Sequence, residues 1–364
     1  MASPIQHHTM AINPLVSVII PLWNRERLIG EALASVCGQS FRNLEILVVD
    51  DGSNDGGPAL VAAWGRQDAR VRLICRDRLP KGAPECRNLG LERATGEYVI
   101  FLDSDDLLGV DAVERRVAML EAHPEYGFVV AQGLIFQQTP GDQQVLWNRC
   151  DYGIEDLVLR FLDQDMPWAT GGPTWRRAVF ETMANWNSEL CSFQDWELHA
   201  RACLSSIQVG VISAPDFYIR WSESDRISLN HFALPHVKSR VSALESVWAA
   251  LGANRRRRRK IRHHVRGYLL RNQLQLLDHG HGEMCGLFNQ SIPGKSLISL
   301  LDRWLLAWIA RKGPDWHWNT RVRKVAGLVW GSLPYDSFRP TGFLNTLWTG
   351  KLPPVAIHGR TAAR

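Results

Sequence analysis

The sequence lacks several patterns that define common protein classes. Its seven cysteines never form a CxxC pair, which excludes a zinc ribbon and is typical of a reduced, cytoplasmic compartment. The first ten residues carry neither the cationic start nor the apolar run of a signal peptide. No stretch reaches the ~18 uninterrupted apolar residues of a membrane-spanning helix, because Asp302 and Arg303 interrupt the most apolar segment, residues 297–310. We therefore expect a cytoplasmic protein with no spanning helix.

Two common phosphate-binding loops are also missing. The first predicted strand, residues 16–20, is followed by Pro21-Leu22-Trp23-Asn24 rather than by the glycine turn of a dinucleotide-binding sheet. No GxxxxGK[ST] loop occurs anywhere in the chain. A bound diphosphate would therefore need a metal ion and side-chain cations instead of a glycine cradle.

The charge of the chain is unevenly distributed over its 364 residues. Residues 1–229 hold 31 acidic and 20 basic side chains, whereas residues 230–330 hold 18 basic and 5 acidic ones, with an unbroken cationic run from Arg255 to Lys260. This length suggests two domains, or one domain with an extension. We place the divisions as follows: a disordered tail over 1–14, an α/β domain over 15–230, and a basic, Trp-rich, mainly helical region over 231–364.

Strand and helix patterns alternate in the N-terminal part. Short β-branched runs predict strands at 16–20, 45–49, 71–75 and 98–102, with helical spacing between them. This alternation predicts a mostly parallel sheet flanked by helices. Ligands of such sheets bind at the carboxyl ends of the strands. Polar clusters lie at three of these ends, namely 21–24, 50–53 and 103–106.

The cluster at 103–106 is the candidate metal site. It contains Asp103, Asp105 and Asp106 directly after a buried strand. Hard cations such as Mg²⁺ or Mn²⁺ take carboxylate oxygens together with substrate phosphates. The alternative is an Asp-rich loop that caps the next helix, and a DxD pattern alone does not separate the two.

Four segments in fixed order carry a family resemblance. They are VSVIIPLWN, the stretch from Leu33 to Asp55 (LxSVxxQSFxNxEIxVVDDGSxD), RNLGLERATGEY and FLDSDD. Together they resemble the family 2 glycosyltransferases, nucleotide-sugar enzymes of the GT-A fold, over about residues 16–230. The ordered set is specific where no single motif is.

The resemblance implies a donor site. The residues that it assigns to binding the nucleotide sugar are Pro21, Trp23, Asn24, Asp51, Arg87 and Asp103. Trp23 is implied to stack on the base, where the family usually has Tyr, and Asp51 to accept a hydrogen bond from the base. Arg87 is implied to lie near base and phosphates, Asp103 to contact the ribose, and Asp105 to bind Mn²⁺ or Mg²⁺. Asp50, as support for the loop, and Lys81, near the phosphates, are further candidates.

The resemblance also implies an acceptor side. Residues 192–198 resemble the segment that carries the family's general base, and Asp195 is the matching carboxylate, although Gln194 replaces the usual Glu. The alternative role for Asp195 is to cap the helix that starts there. Further candidates are Trp175, in a segment implied to lie beneath the acceptor, and Arg220 or Arg226, which could pair with the diphosphate.

These assignments imply a metal-dependent, inverting transfer of a sugar from a nucleoside-diphosphate sugar, with UDP favoured, to a hydroxyl of a glycan or lipid-linked acceptor. Cell-surface polysaccharide or lipopolysaccharide synthesis is the expected setting. A single base opposite the leaving group implies inversion, and no second carboxylate is a good candidate for a nucleophile. The alternatives are a sugar-phosphate nucleotidyltransferase and a non-catalytic nucleotide-sugar-binding protein.

The C-terminal region leaves two roles open. The predicted helix at residues 297–308 has an apolar majority, two Trp and a cationic end, which is typical of a membrane interface. The run from Arg255 to Lys260 would attract anionic lipid. The chain would then be peripheral on the inner face of the membrane. Alternatively, the region is a helical bundle packed on the catalytic domain. Nucleic acid is not an expected partner, because no binding module accompanies the basic run. The oligomeric state stays open.

Overall fold

The computed structural model describes residues 13–150, 157–205, 207–221, 232–252, 255–311, 352–357 and 360–362. The strands in these ranges are β1 (Val16–Leu22), β2 (Leu44–Asp50), β3 (Val71–Cys75), β4 (Tyr98–Phe101), β5 (Leu107–Leu108), β6 (Tyr126–Phe136), β7 (Val145–Leu146), β8 (Pro173–Arg176), β9 (Gln208–Arg220), β10 (Val355–Ile357) and β11 (Arg360–Ala362). The helices are α1 (Glu26–Cys37), α2 (Gly57–Gln67), α3 (Ala83–Arg93), α4 (Ala112–Ala122), α5 (Leu157–Leu162), α6 (Val179–Thr182), α7 (Gln194–Leu204), α8 (Leu234–Ala250), α9 (Arg255–Asp278), α10 (Cys285–Gln290), α11 (Ile292–Leu297) and α12 (Leu300–Ala310).

Four parallel strands form the first half of the main sheet, in the order β3-β2-β1-β4. Along β1, Ile19 belongs to one hydrophobic core, whereas Val18 and Ile20 belong to a second core. Successive side chains of a strand point to opposite faces, so helices must cover both faces of this sheet. The predicted α/β sheet flanked by helices is therefore confirmed.

Antiparallel neighbours complete the sheet. Strand β8 lies antiparallel between β4 and β6, β9 runs parallel to β6, and the short β5 pairs antiparallel with β9. The sheet is therefore mixed rather than purely parallel. Residues 102–106 connect β4 to β5, and this connection places the acidic cluster beside the C-terminal end of β9.

The helices α8 and α9 pack through α7 on the α/β half, by which we mean β1 to β9 together with α1 to α7. The rings of Trp196 on α7 and Tyr268 on α9 lie 5.2 Å apart, and both side chains belong to the same hydrophobic core. The helical C-terminal extension is thus confirmed. The predicted boundary near residue 230 falls in 222–231, outside the described residues, as do the first twelve residues of the predicted tail. No helix in the described part of the chain is long and apolar enough to cross a membrane.

The helix α12 turns its acidic residue inward. Asp302 is fully buried, forms a capping box with Ser299, and pairs with Arg266 of α9 at 2.5 Å. The opposite side of the helix is apolar and exposed, and Leu300, Leu301 and Trp304 lie there. The charge that interrupts this apolar segment in the sequence therefore fixes which side of the helix faces solvent.

The chain returns to the α/β half near its C-terminus. Residues 352–357, which we call the C-terminal clip, pack between α1 and the start of α4. Ala356 lies against Gly38 at the end of α1, and Pro353 lies against Gly109 just before α4. The clip therefore packs against the α/β half, although the sequence analysis assigns it to the basic region.

Candidate active site

The loop after β2 is held by its own acidic residues. The Asp50 carboxylate accepts the backbone N–H groups of Gly52 and Ser53 at 3.2 Å, and Gly52 adopts φ +78°, which favours glycine. Asp51 is buried and accepts the N–H of Gly82 at 2.6 Å through one oxygen and a guanidinium N–H of Arg76 through the other. This loop thus presents a pre-positioned carboxylate at the carboxyl end of the sheet.

Arg76 is a site residue that the sequence analysis missed. It is buried directly after β3, and it pairs with Asp51 and also donates to the Pro80 carbonyl at 2.7 Å. Its Nε is buried and has no hydrogen-bond partner among the residues that the structure describes. The signal was present in the sequence, because Arg76 follows a predicted strand and must lie at the same edge as the other polar clusters.

The turn after β1 provides an exposed aromatic face next to this loop. Trp23 is 60% exposed, and Pro21 is partly buried before it. Asn24 adopts φ +50° and bridges the two loops, because its N–H donates to the Ser53 hydroxyl and its side-chain oxygen accepts the N–H of Asn54, both at 2.9 Å. Asn24 therefore fixes the position of Trp23 relative to Asp51.

Arg87 joins the acidic cluster after β4 to the start of α7. One guanidinium nitrogen lies 2.6 Å from the Asp103 carboxylate, and another donates to the side-chain oxygen of Gln194 at 2.9 Å. The guanidinium also lies over the Trp186 ring, 4.3 Å from its centroid. Gln194, which replaces the usual Glu, thus binds Arg87 without neutralising its charge.

Asp195 follows Gln194 at the start of α7. It accepts the N–H of Trp196 at 2.9 Å, and Phe193 before it has φ +60°, which is strained for an aromatic residue. Burial is the largest cause that raises the pKa of Asp195, while the positive charge of Arg87 lowers it. The charges of Arg87 and Asp103 therefore both act on the Asp195 carboxylate.

The acidic cluster after β4 is crowded with negative charge. Burial, followed by repulsion from Asp103, raises the pKa of Asp105. Burial and the charges of Asp105 and Asp103 also raise the pKa of Asp106 well above its ordinary value. Carboxylates that repel one another in this way favour a bound cation.

Arg220 supports this cluster from β9. Its backbone N–H donates to Asp106 at 3.0 Å, its side chain donates to the Asp105 carbonyl at 3.2 Å, and it pairs with Glu31 at 2.6 Å. Arg220 therefore holds the loop that carries Asp105, a role that the sequence did not indicate.

The donor set fits a hard cation that is bound mainly through substrate. No three Asp, Glu, His or Cys side chains converge into a metal cluster within the part of the chain that the structure describes. Mg²⁺ and Mn²⁺ sites of this kind use one or two carboxylates and complete the shell with phosphate oxygens and water. Asp105, beside Asp103, is suited to be such a ligand.

The other candidates lie in different surroundings. Lys81 is exposed and its amino group lies over Gly52, where a Cβ would be only 2.8 Å from Nζ. Trp175 is 1% exposed and stacks on Phe128 at 4.2 Å, so it lies in the core rather than on the cleft surface. Arg226 falls outside the described residues.

The sequence and the fold resemble those of known proteins. Residues 17–182 match the family model described as Glycosyl transferase family 2. An uncharacterized glycosyltransferase of Haemophilus influenzae is 33% identical over 126 residues, which is 33% of this chain and 50% of that protein. The GalNAc(5)-diNAcBac-PP-undecaprenol beta-1,3-glucosyltransferase of Campylobacter jejuni is 36% identical over 122 residues, or 34% of this chain and 39% of that protein. These matches span half or less of the length of the two relatives.

A solved structure extends the likeness of fold beyond the matched segment. Residues 1–349 of TarS from S. aureus, in complex with UDP-GlcNAc, superpose with a TM-score of 0.62 at 19% identity, and the match covers 95% of each chain. The fold is thus that of the GT-A glycosyltransferases. The family match itself is confined to residues 17–182, less than half of the chain.

Proposed function

We propose that this protein transfers a sugar from a nucleoside-diphosphate sugar to a hydroxyl group of an acceptor, with inversion at the anomeric carbon. The observation that carries the proposal is the pair of hydrogen bonds from Arg87 to Asp103 and Gln194. These bonds join Asp103, which follows β4, to the residue before Asp195 through one guanidinium group. The match of residues 17–182 to the model of glycosyl transferase family 2 supports the same conclusion.

The donor nucleotide would bind at the ends of β1, β2 and β3. The exposed face of Trp23 would stack on the base. Asp51 retains lone pairs that can accept a base N–H, and the Nε of Arg76, which has no partner among the described residues, would donate to a base carbonyl. An acceptor beside a donor matches the imide edge of uracil, so we favour a UDP sugar.

The diphosphate would lie against Asp105 and Arg87. Asp105 would hold a Mn²⁺ or Mg²⁺ ion, which neutralises the negative charge that the leaving diphosphate gains. Arg87 carries a positive charge next to Asp103 and would stabilise the same developing charge. Arg220 would keep the Asp105 loop in place through its hydrogen bond to the Asp105 carbonyl.

Asp195 would remove the proton from the attacking hydroxyl. Its raised pKa makes it a stronger base than an exposed aspartate. His199 lies one turn further along α7, but burial lowers its pKa to about 3 and the side chain is 1% exposed, so it is not a competing base. One base without a nucleophilic carboxylate implies a single displacement and therefore inversion.

The acceptor would be a glycan or a lipid-linked saccharide in cell-surface polysaccharide or lipopolysaccharide synthesis. One relative is named for a beta-1,3-glucosyltransferase whose acceptor is linked to undecaprenol, which supports this class of acceptor. The rival assignment as a nucleotidyltransferase is weakened by the turn Pro21-Leu22-Trp23-Asn24, which has no glycine or lysine to hold a triphosphate.

Part of the C-terminal region would lie on an anionic membrane surface. The exposed side of α12 carries Leu300, Leu301 and Trp304. The pair between Arg266 and Asp302 sets this helix beside α9, whose first turns expose the cationic side chains of Arg255, Arg256, Arg259, Lys260 and Arg262. Exposed apolar residues next to cations match the headgroup region of an anionic bilayer.

The membrane proposal is tested by flotation with vesicles that contain phosphatidylglycerol. Replacing Arg255, Arg256 and Arg259 with Gln should release the protein from these vesicles, and Trp304→Ala should weaken binding at every salt concentration. The control is the replacement of Arg66 and Arg93 with Gln, because both side chains are exposed on the α/β half. Equal flotation of all three variants would contradict the proposal.

The transfer proposal is tested by UDP or GDP release from a panel of donors in the presence of Mn²⁺. We expect release from one donor, and a loss of about 10²–10⁴-fold in kcat for Asp195→Asn. The control is Asp68→Asn, because Asp68 lies before β3, at the opposite edge of the sheet. NMR of the product should show inversion. A variant Asp195→Asn with full turnover would contradict the assignment of the base.

A further inference from the structure

Two neighbouring carbonyl groups of the C-terminal clip accept hydrogen bonds from β9 and from the segment that follows β5. The Tyr218 hydroxyl on β9 donates to the Pro353 carbonyl at 2.9 Å. The N–H of Val110, two residues after β5, donates to the Pro354 carbonyl at 2.7 Å. The clip therefore bridges β9 and the segment that follows β5.

The clip also shares a small apolar core with these strands. Val355 is buried in a cluster with Leu107, Phe136 and Tyr218, separate from the two large cores. Leu107 and Tyr218 are paired across β5 and β9. The burial of Val355 thus joins the clip to both strands of this pair.

This cluster lies close to the site along the chain. Asp105 lies in the turn two residues before Leu107, and Arg220 follows Tyr218 by two residues on β9, which is about 7 Å along that strand. Because Arg220 donates to the Asp105 carbonyl, a shift of either strand would change the position of the candidate metal ligand.

Two glycines of the α/β half lie where the clip packs against it. A Cβ at Gly38 would lie 2.4 Å from the Cβ of Ala356, and a Cβ at Gly109 would lie 3.0 Å from the Cβ of Pro353. A side chain at Gly38 therefore cannot coexist with the clip in its present position. The fit is specific to particular atoms, which makes it open to a steric test.

We propose that the C-terminal clip positions the acidic cluster for donor binding, with Tyr218 as a positioning residue. Its catalytic consequence rests on the proposed function, whereas its effect on the β5–β9 pair does not. The clip follows the basic region in the chain. The basic region is therefore connected at both of its ends to segments that belong to the α/β half.

The test is a steric displacement with a designed rescue. Gly38→Ala should push the clip away, and Ala356→Gly in the same chain should restore it, because the clashing atom is then removed and the Cα of Ala356 lies at 3.9 Å. Gly30→Ala is the matched control on the same helix, since its Cβ would make an ordinary 3.6 Å contact. Tyr218→Phe removes only the hydroxyl that donates to Pro353.

Three readouts are compared in the full chain. Gly38→Ala and Tyr218→Phe should exchange the amide hydrogens of residues 105–110 faster, bind UDP with Mn²⁺ more weakly in calorimetry, and lose about ten- to a hundredfold in kcat/KM. Gly30→Ala and the Gly38→Ala, Ala356→Gly double variant should match the unmodified protein in all three.

Unchanged exchange and UDP affinity in folded Gly38→Ala would overturn the proposal. A double variant that stays as impaired as Gly38→Ala would also overturn it, because the effect would then come from the nearby Ala34 carbonyl. If the unmodified protein released no nucleotide from any donor, the proposed function would fail, yet hydrogen exchange would still decide whether the clip holds β5 and β9.

Discussion

The Asp216 carboxylate and the Arg116 guanidinium form a two-pronged ion pair in which neither side chain is exposed to solvent. The two bonds are 2.9 Å and 2.5 Å long, and Arg116 also donates to the Gly171 carbonyl at 2.9 Å. The backbone carbonyl of Asp216 accepts the N–H of Gly109 at 2.7 Å. This pair thus fixes α4 against β9 just behind the acidic cluster.

Asp216→Ala should destabilise the protein strongly. Removing one partner of a buried pair leaves an uncompensated charge, here on Arg116, and costs about 3–5 kcal/mol. Urea unfolding followed by circular dichroism measures the change. Glu97→Ala is the control, because Glu97 pairs with Arg176 at 3.7 Å on the surface and should cost at most about 1 kcal/mol. Similar losses for both variants would contradict the structural role of the Arg116 pair.

The activity should decline on the acid side at a higher pH than an ordinary aspartate predicts. Burial raises the pKa of Asp195, and a base works only when deprotonated, so activity falls as the pH drops through that raised pKa. The acid limb of kcat/KM against pH should therefore lie above about 3.9. An acid limb at or below this value would contradict the assignment.

A change at Arg87 should move the same limb. The positive charge of Arg87 lowers the pKa of Asp195, so Arg87→Gln should raise that pKa and shift the limb to still higher pH, besides lowering kcat/KM. Arg93→Gln is the control, because Arg93 is exposed at the end of α3. A lower rate with an unmoved limb would show that Arg87 acts on the donor and not on Asp195.

Arg76→Ala should weaken UDP binding. The change leaves Asp51 buried without its ionic partner, and a charged hydrogen bond contributes about 1.5–3 kcal/mol, or about ten- to a hundredfold in affinity. Arg72→Ala is the control, because Arg72 is exposed on the same strand. Calorimetry with UDP, together with a melting temperature for each variant, measures the difference. Equal UDP affinity in both variants would exclude a role for Arg76 in the donor site.

Trp23→Ala should lower UDP affinity by about tenfold, because base stacking contributes about 0.5–1.5 kcal/mol beyond burial. Trp23→Tyr keeps an aromatic face and should retain most of the affinity. The fold should be unaffected in both, since Trp23 is largely exposed. Trp64→Phe serves as a control at a partly buried tryptophan on α2. If Trp23→Ala bound UDP as tightly as Trp23→Tyr, the stacking role would be wrong.

The local pattern predicted the elements well where one force dominates. The third strand was predicted at 71–75 and lies at Val71–Cys75, and the helix predicted over 84–94 lies at Ala83–Arg93. Short runs with β-branched residues favour a strand, and strand ends gather at one edge whatever the details of packing. The clusters at 50–53 and 103–106 could therefore be placed together from the sequence.

Long-range partners could not be predicted in the same way. Trp175 was a candidate for the acceptor side, but stacking on Phe128 places it in the core. Arg220 was expected to contact the diphosphate, yet its described partners are Glu31 and the backbone of the acidic cluster. Both outcomes depend on residues more than 40 positions away, which no local pattern encodes.

The amino-acid order by itself determined the parallel half-sheet, the edge where the acidic residues gather and the match of residues 17–182 to a family model, because these follow from short-range periodicity and contiguous motifs. Only the folded chain decided that Arg87 joins Asp103 to Gln194, that Arg76 backs Asp51 and that the clip at 352–357 braces β5 and β9. Those contacts join segments far apart in the chain, and their geometry is fixed by packing rather than by local preference.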